Sequence, residues 1–505
     1  MLDTLQHTAF QFFWNEANPT NGLIKDRNTA GSPSSIASVG FGLSGICIGV
    51  DHGWVTRAAA RQRVLTTLNT FWLGPQGTLA TGMIGYRGFF YHFLEMNTAV
   101  RAGSTELSTI DSALLLAGIL DAKQYFDDPV DPDEILIRAR ADSIYRRMNW
   151  VFMQNFSPGV RMGWKPGTSF SGFGEWIGYN EAMILYILAL GSPTFAPDTS
   201  AWDRWTSGYS FNTFYGQSYV FFPPLFGHQY SHCWIDFRNI RDEYMRNRGF
   251  DYFENSRRAT YAARAYCDDN PFNYLLYSDS LWGLTAGDGP DGYEARGAPP
   301  QQNDDGTITP TAAISSIPFA PEIVEPFIRN LWNNYRDTPL WGPYGFNDGF
   351  NLQRGWFGPD VIGIDQGPIL IMIENYRNGK PWARFMANPE VQVGLARAGF
   401  LSTLIGVEPG PGAPGAGRGE ILMANAPNPF SLSTSVHFRL PREEHVTIAL
   451  YDVRGRRVAN VFDGVRGAGE HAVVLEAGDL ASGVYRIRLS GASGISDERT
   501  CVIAR

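Results

Sequence analysis

The 505-residue sequence has few cysteines, few charged residues and no long apolar run. Its cysteines, Cys47, Cys233, Cys267 and Cys501, form no CxxC or Cys-His spacing, which argues against a zinc site and a disulfide framework. No stretch reaches the ~20 apolar residues that a membrane-spanning helix needs. The chain enters a helical pattern at Leu2 without a basic and then apolar leader. We therefore predict no membrane span, and expect that any export leader has been removed.

Positive charge is also scarce, and it is not clustered. The chain carries 41 Lys and Arg against 50 Asp and Glu, which gives a formal net charge of −9. Without a basic block, the surface is a poor partner for nucleic acid or anionic membranes, and polyanions are unsuitable ligands. A lyase acting on uronates would need such a basic cluster, so that class is disfavoured.

Aromatic residues, in contrast, are abundant. The sequence contains 14 Trp, 22 Tyr and 33 Phe, and many of them stand beside Gly, Asn or Asp rather than within apolar runs. Such side chains can stack on sugar faces while polar neighbours bind hydroxyl groups. The alternative is a large aromatic core, and composition alone favours carbohydrate binding only modestly.

Two stretches place carboxylates just before strongly apolar segments. Glu106 and Asp111 precede the segment 112–120, and Glu181 precedes 182–190. An ionised carboxylate at the head of a buried helix costs several kcal/mol unless it is paired or reaches a wet cavity. Our hypothesis is that both helix heads open onto one cavity, where the carboxylates divide acid and base work. The alternative is that the first turn of each helix satisfies its own acid.

Periodicity divides the chain into two parts. Residues 2–400 contain roughly a dozen helical patterns, among them 178–190 and 199–216, which favours an α/α toroid with inner and outer rings of helices. A Gly/Pro-rich linker follows at 408–420, and alternation such as Val436, Phe438 and Leu440 predicts an antiparallel β-sandwich beyond it. The predicted domains are thus 1–407 and 421–505.

Further polar stretches supply candidate ligands for a substrate. His228 and His232 are four residues apart, a spacing compatible with a metal, but no third ligand is evident. The acidic loop from Asp288 lacks EF-hand spacing, so calcium is disfavoured as well. We predict no metal and no cofactor.

Several motifs together resemble a known family, the glucoamylase-like proteins of glycoside hydrolase family 144, which are bacterial β-1,2-glucanases. The resemblance covers nearly all of residues 1–400 and rests on these segments: Gly178-Tyr179-Asn180-Glu181, Gly227-His228-Gln229-Tyr230-Ser231-His232, Trp234-Ile235-Asp236-Phe237-Arg238 and Ile364-Asp365-Gln366-Gly367-Pro368. It implies an all-α (α/α)6 barrel that hydrolyses β-1,2-glucan with inversion, as an endo-glucanase. Glu181 lies where the family places its leading acid candidate, and Asp111 where it usually carries another carboxylate. Endo-glucanase members tend to have Glu at the position of Asp111 and Asp at that of Ser108.

The C-terminal part resembles the sorting domain of type IX secretion substrates, which has an immunoglobulin-like fold. Asn428-Pro429-Phe430, the run 450–458 and Ser482-Gly483-Val484-Tyr485 carry this resemblance. It implies a secreted or surface-attached protein that uses the secretion machinery through this domain.

An inverting hydrolase needs a protonated and an ionised carboxyl group ~6.5–9.5 Å apart. We assign Glu181 as the acid, because burial beside Trp176 and Tyr179 should raise its pKa. Asp111 is the first candidate for the base, Glu106 is the reserve, and Asp288 or Asp365 could act through a water chain. The predicted substrate-binding residues are Trp176, Tyr179, His228, Tyr230, His232, Asp236, Arg238, Asp288, Tyr293, Trp341, Asp365 and Gln366.

Two alternatives remain at this point. One is an exo-acting or differently linked glucan glucosidase, including a true glucoamylase acting on α-glucan. The other is a secreted glycan-binding protein without activity. We expect a monomer in either case.

Overall fold

The structure is a computed structural model that describes residues 1–298, 303–403, 422, 425, 433–440, 442–452, 456–478, 480–481, 483–491 and 496–503. The chain divides into two compact units, Met1–Gly406 and Val407–Arg505. The predicted linker 408–420 lies outside the described residues, as do Asn428-Pro429-Phe430 and Ser482 of the sorting-domain resemblance. The domain boundaries inferred from the sequence therefore stay a prediction.

The first unit is rich in helices. Its described part contains fifteen α-helices: α1 (Leu2–Asn15), α2 (Ile36–Asp51), α3 (Arg57–Leu73), α4 (Thr109–Tyr125), α5 (Pro132–Arg147), α6 (Trp150–Gln154), α7 (Met183–Leu190), α8 (Ser200–Thr206), α9 (Glu243–Arg248), α10 (Tyr252–Asp269), α11 (Pro310–Ile314), α12 (Pro321–Asn334), α13 (Gly363–Asn378), α14 (Lys380–Met386) and α15 (Pro389–Arg397). Two short 3-10 helices, Leu225–His228 and Ser231–Cys233, lie between α8 and α9.

Three of the most buried helices, α2, α4 and α13, run side by side in the same direction. At one end, Gly363 of α13 lies against Ser38 of α2. At the other end His52, which caps α2, contacts Glu374 of α13 with 2.8 Å between Nε2 and Oε2. The hydroxyl of Tyr125, the last residue of α4, donates to Asp51 Oδ1 at the end of α2 (2.9 Å), so α4 runs in the same direction. The N-terminal ends of all three helices therefore meet at one end of the unit.

The packing of α2 on α4 depends on two glycines. A methyl group at Gly40 would collide with the carbonyl oxygen of Leu114, and one at Gly118 would collide with the carbonyl oxygen of Gly40. Only the absence of a side chain lets the two backbones approach this closely. This contact fixes the position of the head of α4 relative to that of α2.

Local sequence signals explain where these helices begin. The Ser35 hydroxyl accepts a hydrogen bond from the backbone N–H of Ser38 at the head of α2, and Ser108 accepts one from Asp111 at the head of α4. Asp131 caps α5 and is followed by Pro132, the arrangement typical of a helix start. The caps of α2 and α4 lie at the end of the unit where the acids predicted from sequence are found.

Short strands lie between the helices, and they pair both as hairpins and across distant parts of the chain. The strands of this unit are β1 (Ser34–Ser35), β2 (Gly85–Tyr86), β3 (Phe89–Phe90), β4 (Phe93–Leu94), β5 (Leu107–Ser108), β6 (Gly163–Trp164), β7 (Phe211–Phe214), β8 (Gln217–Val220), β9 (Ile240–Arg241), β10 (Ala286–Gly289), β11 (Gly292–Ala295), β12 (Trp341–Gly342), β13 (Gly345–Phe346), β14 (Phe350–Asn351), β15 (Trp356–Phe357) and β16 (Leu401–Ser402). They pair two by two, all antiparallel: β1 with β4, β2 with β3, β5 with β6, β7 with β8, β9 with β16, β10 with β11, β12 with β13, and β14 with β15.

Two predicted helices are shorter than the sequence suggested. The prediction of a helix over 199–216 was wrong beyond Thr206, since β7 and β8 follow and are joined through Tyr215 and Gly216, both with positive φ (45° and 74°). The helix predicted over 178–190 begins only at Met183. Gly178 has a φ of 85°, which no right-handed helix accommodates, so the segment up to Glu181 is a loop.

The second unit consists mostly of β-strands. Strands β17 (Ser433–Leu440) and β20 (Gly469–Glu476) form one sheet, and β18 (Glu444–Tyr451), β19 (Arg457–Arg466), β21 (Gly483–Gly491) and β22 (Ser496–Ile503) form another in the order β19-β18-β21-β22. Val436, Phe438 and Leu440 share a core with Val446 and Ile448, as their alternation predicted. Among the described residues, none of the helices combines the length and the apolar character needed to cross a membrane.

Candidate active site

The candidate site lies where the heads of α4 and α13 meet the loop before α7. Asp111 is in the first turn of α4, Asp365 is in the first turn of α13, and Glu181 ends the loop that leads into α7. The Trp176 indole N–H donates to the Thr109 hydroxyl (3.0 Å), which ties this loop to the head of α4. Two carboxyl groups that the sequence separates by many residues are thereby brought to the same end of the helices.

Asp111 is held by a hydroxyl group and a histidine. The Ser108 hydroxyl donates to Asp111 Oδ2, and His92 Nε2 lies 3.6 Å from the same oxygen. The other ring nitrogen of His92, Nδ1, lies 2.9 Å from Glu106 Oε1. Burial opposes a charge on His92, but the charge of Asp111 and the hydrogen bond to Glu106 outweigh it and raise the His92 pKa to about 9. The hydrogen bond from His92 in turn lowers the pKa of Glu106.

Glu181 lies in an environment of the opposite kind. Its Oε2 atom is buried and has no hydrogen-bond partner in the described part of the chain. Burial, reinforced by the negative charge of Asp111, raises the pKa of Glu181 to about 7. A carboxyl group with this pKa holds its proton in a large fraction of molecules near neutral pH, whereas Asp111 faces an imidazolium.

A second acidic cluster surrounds the head of α13. Asp348 Oδ1 and Asp365 Oδ2 are buried and have no hydrogen-bond donor within the described residues, and each carboxyl group acts electrostatically on the other. Burial raises the pKa of Asp348 to about 7, and burial together with the charge of Asp348 raises that of Asp365 well above its ordinary value. The backbone N–H of Asp288 donates to Asp348 Oδ2 (2.6 Å). Asp288 itself is paired with Arg27, with 2.8 Å between Oδ2 and Nη1.

Aromatic side chains connect the two acidic regions. Burial and then the charges of Asp365, Tyr293 and Glu181 raise the pKa of Tyr230 well above its ordinary value, so its hydroxyl lies within electrostatic reach of both regions. Tyr293, in β11 opposite Asp288, is 47% exposed. Trp176 is partly exposed beside α4. Exposed rings beside carboxyl groups are the arrangement that sugar binding needs.

The remaining predicted residues have mainly packing contacts. Tyr179 is buried, and its ring lies 4.8 Å from that of His228 and 5.9 Å from that of Tyr252. Gln366 is buried next to Asp365, with its amide 3.5 Å from the carbonyl oxygen of Phe346. The Trp341 ring packs at right angles on Trp332 and Phe346.

The predicted contacts of His228 and His232 with substrate need correction. Both side chains are fully buried at 0% exposure. His228 Nε2 lies 3.0 Å from the carbonyl oxygen of Phe222, and His232 Nε2 lies 3.1 Å from the Ser256 hydroxyl. Burial lowers the pKa of each histidine to about 3, so both are neutral. They belong to the hydrogen-bonded interior that supports the site, and they present no surface to a sugar.

Asp236 and Arg238 lie at the wrong end of the helices. They pair with each other, and the Arg238 guanidinium stacks 4.3 Å from the Trp382 ring in α14. The same short helix pairs Arg384 with Asp121 of α4. Asp121 is ten residues beyond Asp111, which is about 15 Å along a helix. The prediction that this pair binds substrate at the site was therefore wrong.

Sequence reasoning missed His92, Arg27 and Asp348. His92 stands in an aromatic segment with no polar pattern, and Arg27 meets Asp288 only through the fold. Asp348 lies in the polar segment Asn347-Asp348-Gly349, and nothing in the local sequence pairs it with Asp365. Among the described residues, no group of His, Cys, Asp and Glu side chains is arranged to hold a metal ion.

Comparison with known proteins identifies the family. The model of the family described as "Putative glucoamylase" matches residues 174–389. A crystal structure from Bacteroides uniformis, described in the same words, is 35% identical with a TM-score of 0.73, and the match covers 79% of this chain and 97% of that one. The chain belongs to this glucoamylase-like family. The resemblance drawn from its motifs is thus confirmed.

Two further relatives of this chain are named for β-1,2-glucan. An endo-β-1,2-glucanase from Chitinophaga pinensis, solved with sophorotriose and glucose, is 28% identical with a TM-score of 0.73, covering 79% of this chain and 98% of that one. An exo β-1,2-glucooligosaccharide sophorohydrolase (non-reducing end) from Parabacteroides distasonis is 30% identical over 431 residues, which is 79% of this chain and 57% of that protein. The chain thus spans a little more than half the length of that curated relative.

Proposed function

We propose that this chain is a glycoside hydrolase that cleaves β-1,2-glucan with inversion at the anomeric carbon, and that it acts as an endo-glucanase. Its substrate is an oligosaccharide or polysaccharide, and it needs no metal or cofactor. The names of the relatives from Chitinophaga pinensis and Parabacteroides distasonis support the substrate class.

The observation that carries the proposal is the contrast between two carboxyl groups at one end of the helices. Glu181 has a buried, unpartnered oxygen and a pKa of about 7, while Asp111 is paired with His92 and Ser108. The charge of Asp111 helps to raise the pKa of Glu181, so the two groups lie within electrostatic reach. Neighbouring carboxyl groups with such different surroundings are the usual sign of an acid and a base.

In this mechanism Glu181 donates its proton to the bridging oxygen as the glycosidic bond breaks. Asp111 accepts a proton from the water that attacks the anomeric carbon from the opposite face. Glu106, hydrogen bonded to the far side of His92, is the reserve candidate for the base, and Asp288 or Asp365 could act through a chain of waters. Tyr293 and Trp176 supply rings on which sugars can stack.

Exo action is the second candidate, because the Parabacteroides distasonis relative is named an exo-acting sophorohydrolase. Time-resolved analysis of products from β-1,2-glucan separates the two modes. Oligomers of mixed length at early times support endo action, and sophorose alone supports exo action.

The same experiment tests the substrate and the class of protein. Laminarin and starch serve as differently linked controls, and hydrolysis of starch alone would support a true glucoamylase instead. If no reducing ends appear from any glucan while binding to β-1,2-glucan persists, the chain is a glycan-binding protein. The anomeric form of the first product, followed by NMR, tests inversion.

We also propose that the helical unit is an (α/α)6 barrel, that the second unit is an immunoglobulin-like sorting domain, and that the protein is a secreted monomer. The common direction of α2, α4 and α13 supports the barrel. Deleting residues 421–505 from the full chain in a host with type IX secretion should keep the enzyme inside the cell. Continued export of the deleted form would contradict the sorting role.

A further inference from the structure

His92 lies between the carboxylates of Glu106 and Asp111 on the α4 side of the site, and it belongs to none of the motifs identified in the sequence. Its backbone is fixed on both sides: its N–H donates to the carbonyl oxygen of Glu106 (2.9 Å), and its carbonyl oxygen accepts from Ile36 at the head of α2 (3.2 Å). The ring stacks on Phe93 with 4.0 Å between centroids. The imidazole is therefore held in one orientation.

In that orientation both ring nitrogens face carboxylate oxygens. Nδ1 lies 2.9 Å from Glu106 Oε1, and Nε2 lies 3.6 Å from Asp111 Oδ2. An ionised carboxylate only accepts hydrogen bonds, and a neutral imidazole has only one N–H. A neutral ring would thus turn a lone pair towards one of the two acids, whereas the imidazolium offers an N–H to each.

Further charges around the ring favour the same state. Asp26, in the loop after α1, adds a third negative charge that acts on His92. Lys165, a positive charge, acts electrostatically on Glu106. The charged groups facing the imidazole are thus Glu106, Asp111 and Asp26, all acidic, and the side chain keeps 31% of its surface exposed.

We infer that His92 is a positioning residue that stays an imidazolium and holds Asp111 as an ionised carboxylate for attack by water. This inference rests on the proposed function. Within the described residues, the hydrogen bond and ion pair of the Asp111 carboxylate go to Oδ2, which leaves Oδ1 for the water. Both ring nitrogens of His92 face carboxylate oxygens, so we expect its loss to act through Asp111, lowering kcat and leaving KM nearly unchanged.

The charge of His92 can be measured in the wild-type protein without any assay of activity. Histidines labelled with 13C at Cε1 are titrated by NMR, and the signal missing from His92→Gln identifies the residue among the eight histidines. We expect this signal to titrate near pH 9. Glu106→Gln, which keeps the acceptor but loses the charge, should move the midpoint to lower pH and provides a second test if His92→Gln does not fold.

Kinetics then test the role. His92→Gln should lower kcat on β-1,2-glucan about 10- to 100-fold, as for loss of a charged hydrogen bond. In the wild type, log kcat/KM should fall more steeply with pH above about 9, when His92 loses its charge, and in His92→Gln that extra steepness should be absent. His52→Gln is the matched control, because it breaks a His-Glu pair (2.8 Å) at the other end of the same helices.

The outcomes separate this inference from the proposed function. An active wild type whose His92 titrates near 6.5, or a folded His92→Gln with kcat within about threefold of wild type, overturns the inference and leaves the hydrolase in place. An inactive wild type overturns both. A similar loss in His52→Gln would mean that the effect is structural, and would overturn the positioning role.

Discussion

Replacing Glu181 with Gln is the sharpest test of the mechanism. Gln has nearly the same shape, and it fills the buried position without a proton to give. General acid catalysis contributes roughly 10²–10⁴-fold, equivalent to about 3–5 kcal/mol of barrier. We expect kcat/KM on β-1,2-glucan to fall by about that factor. An aryl glycoside with a good leaving group needs little protonation, so the loss on such a substrate should be much smaller.

The pH profile gives an independent measure of the same group. With a pKa of about 7, half of the Glu181 side chains carry the proton at pH 7. At pH 9 roughly 1% do, so kcat/KM of the wild type should drop about 50-fold between these values, before any contribution from His92. Glu181→Gln should lack this decline. Reducing-end assays from pH 5 to 10 follow both proteins.

A matched control lies in the same loop. Glu175 is paired with Arg204 (2.9 Å) and lies near Arg161, so Glu175→Gln removes a carboxylate without touching the acid. It should keep kcat/KM within a few-fold of wild type. The reasoning is refuted if Glu181→Gln retains activity within about tenfold of wild type, or if the wild-type profile is flat from pH 6 to 9.

The remaining predictions concern stability, measured by thermal unfolding. Burial raises the pKa of Asp348 from 3.8 to about 7, so the folded state binds more protons than the unfolded state in that range, and the wild type loses stability as pH rises from about 4 to 7. Asp348→Asn should show less of this loss, and an unchanged pH dependence would refute the raised pKa of Asp348. Arg384→Met should lower the free energy of unfolding by about 3–5 kcal/mol, because it leaves the fully buried Asp121 carboxylate unpaired. It should not change kcat/KM, and an unchanged Tm would contradict this prediction. Gly118→Ala should lower the free energy of unfolding by about 1–3 kcal/mol, because the added methyl group collides with α2. Gly174→Ala should have little effect, because the space around Gly174 is open. Equal effects of the two substitutions would refute the close approach of α2 and α4.

Much of the helical framework could be predicted from the sequence, because its signals are local. Asp131 and Pro132 mark the start of α5 by capping chemistry, and the apolar run after Asp111 marks a buried helix. The prediction of a helix over 199–216 failed beyond Thr206, because a tight turn interrupts the helical spacing of the apolar residues. Tyr215 and Gly216 both have positive φ, and they turn a segment with helical spacing into a hairpin.

The candidate site was less accessible from sequence. The sequence could place Asp111 at the head of a helix, because a helix start is local. It could not place His92 between Glu106 and Asp111, because that contact depends on the antiparallel bridge between Tyr91 and Leu107. Likewise, the sequence cannot distinguish His228 and Arg238 from residues that bind substrate, because all of them are polar. Only the packing of the helices places His228 in the interior and Arg238 at the end of the helices opposite the site.

The stability of the unit and its proposed activity make opposite demands on Glu181. An ordinary Glu would titrate at 4.5, so a pKa of about 7 means that ionisation is disfavoured in the folded state. The difference corresponds to a cost of up to about 3 kcal/mol above pH 7. Glu181→Gln removes this cost, so the inactive variant should unfold at a higher temperature than the wild type at pH 8, and this advantage should shrink at pH 5. Asp111, paired with His92 and Ser108, has no comparable reason to destabilise the fold. An acid that stays protonated beside an ionised base must be disfavoured from ionising, and this lowers the stability of the folded protein above its pKa. The proposed activity therefore requires the cost in stability that Glu181 imposes.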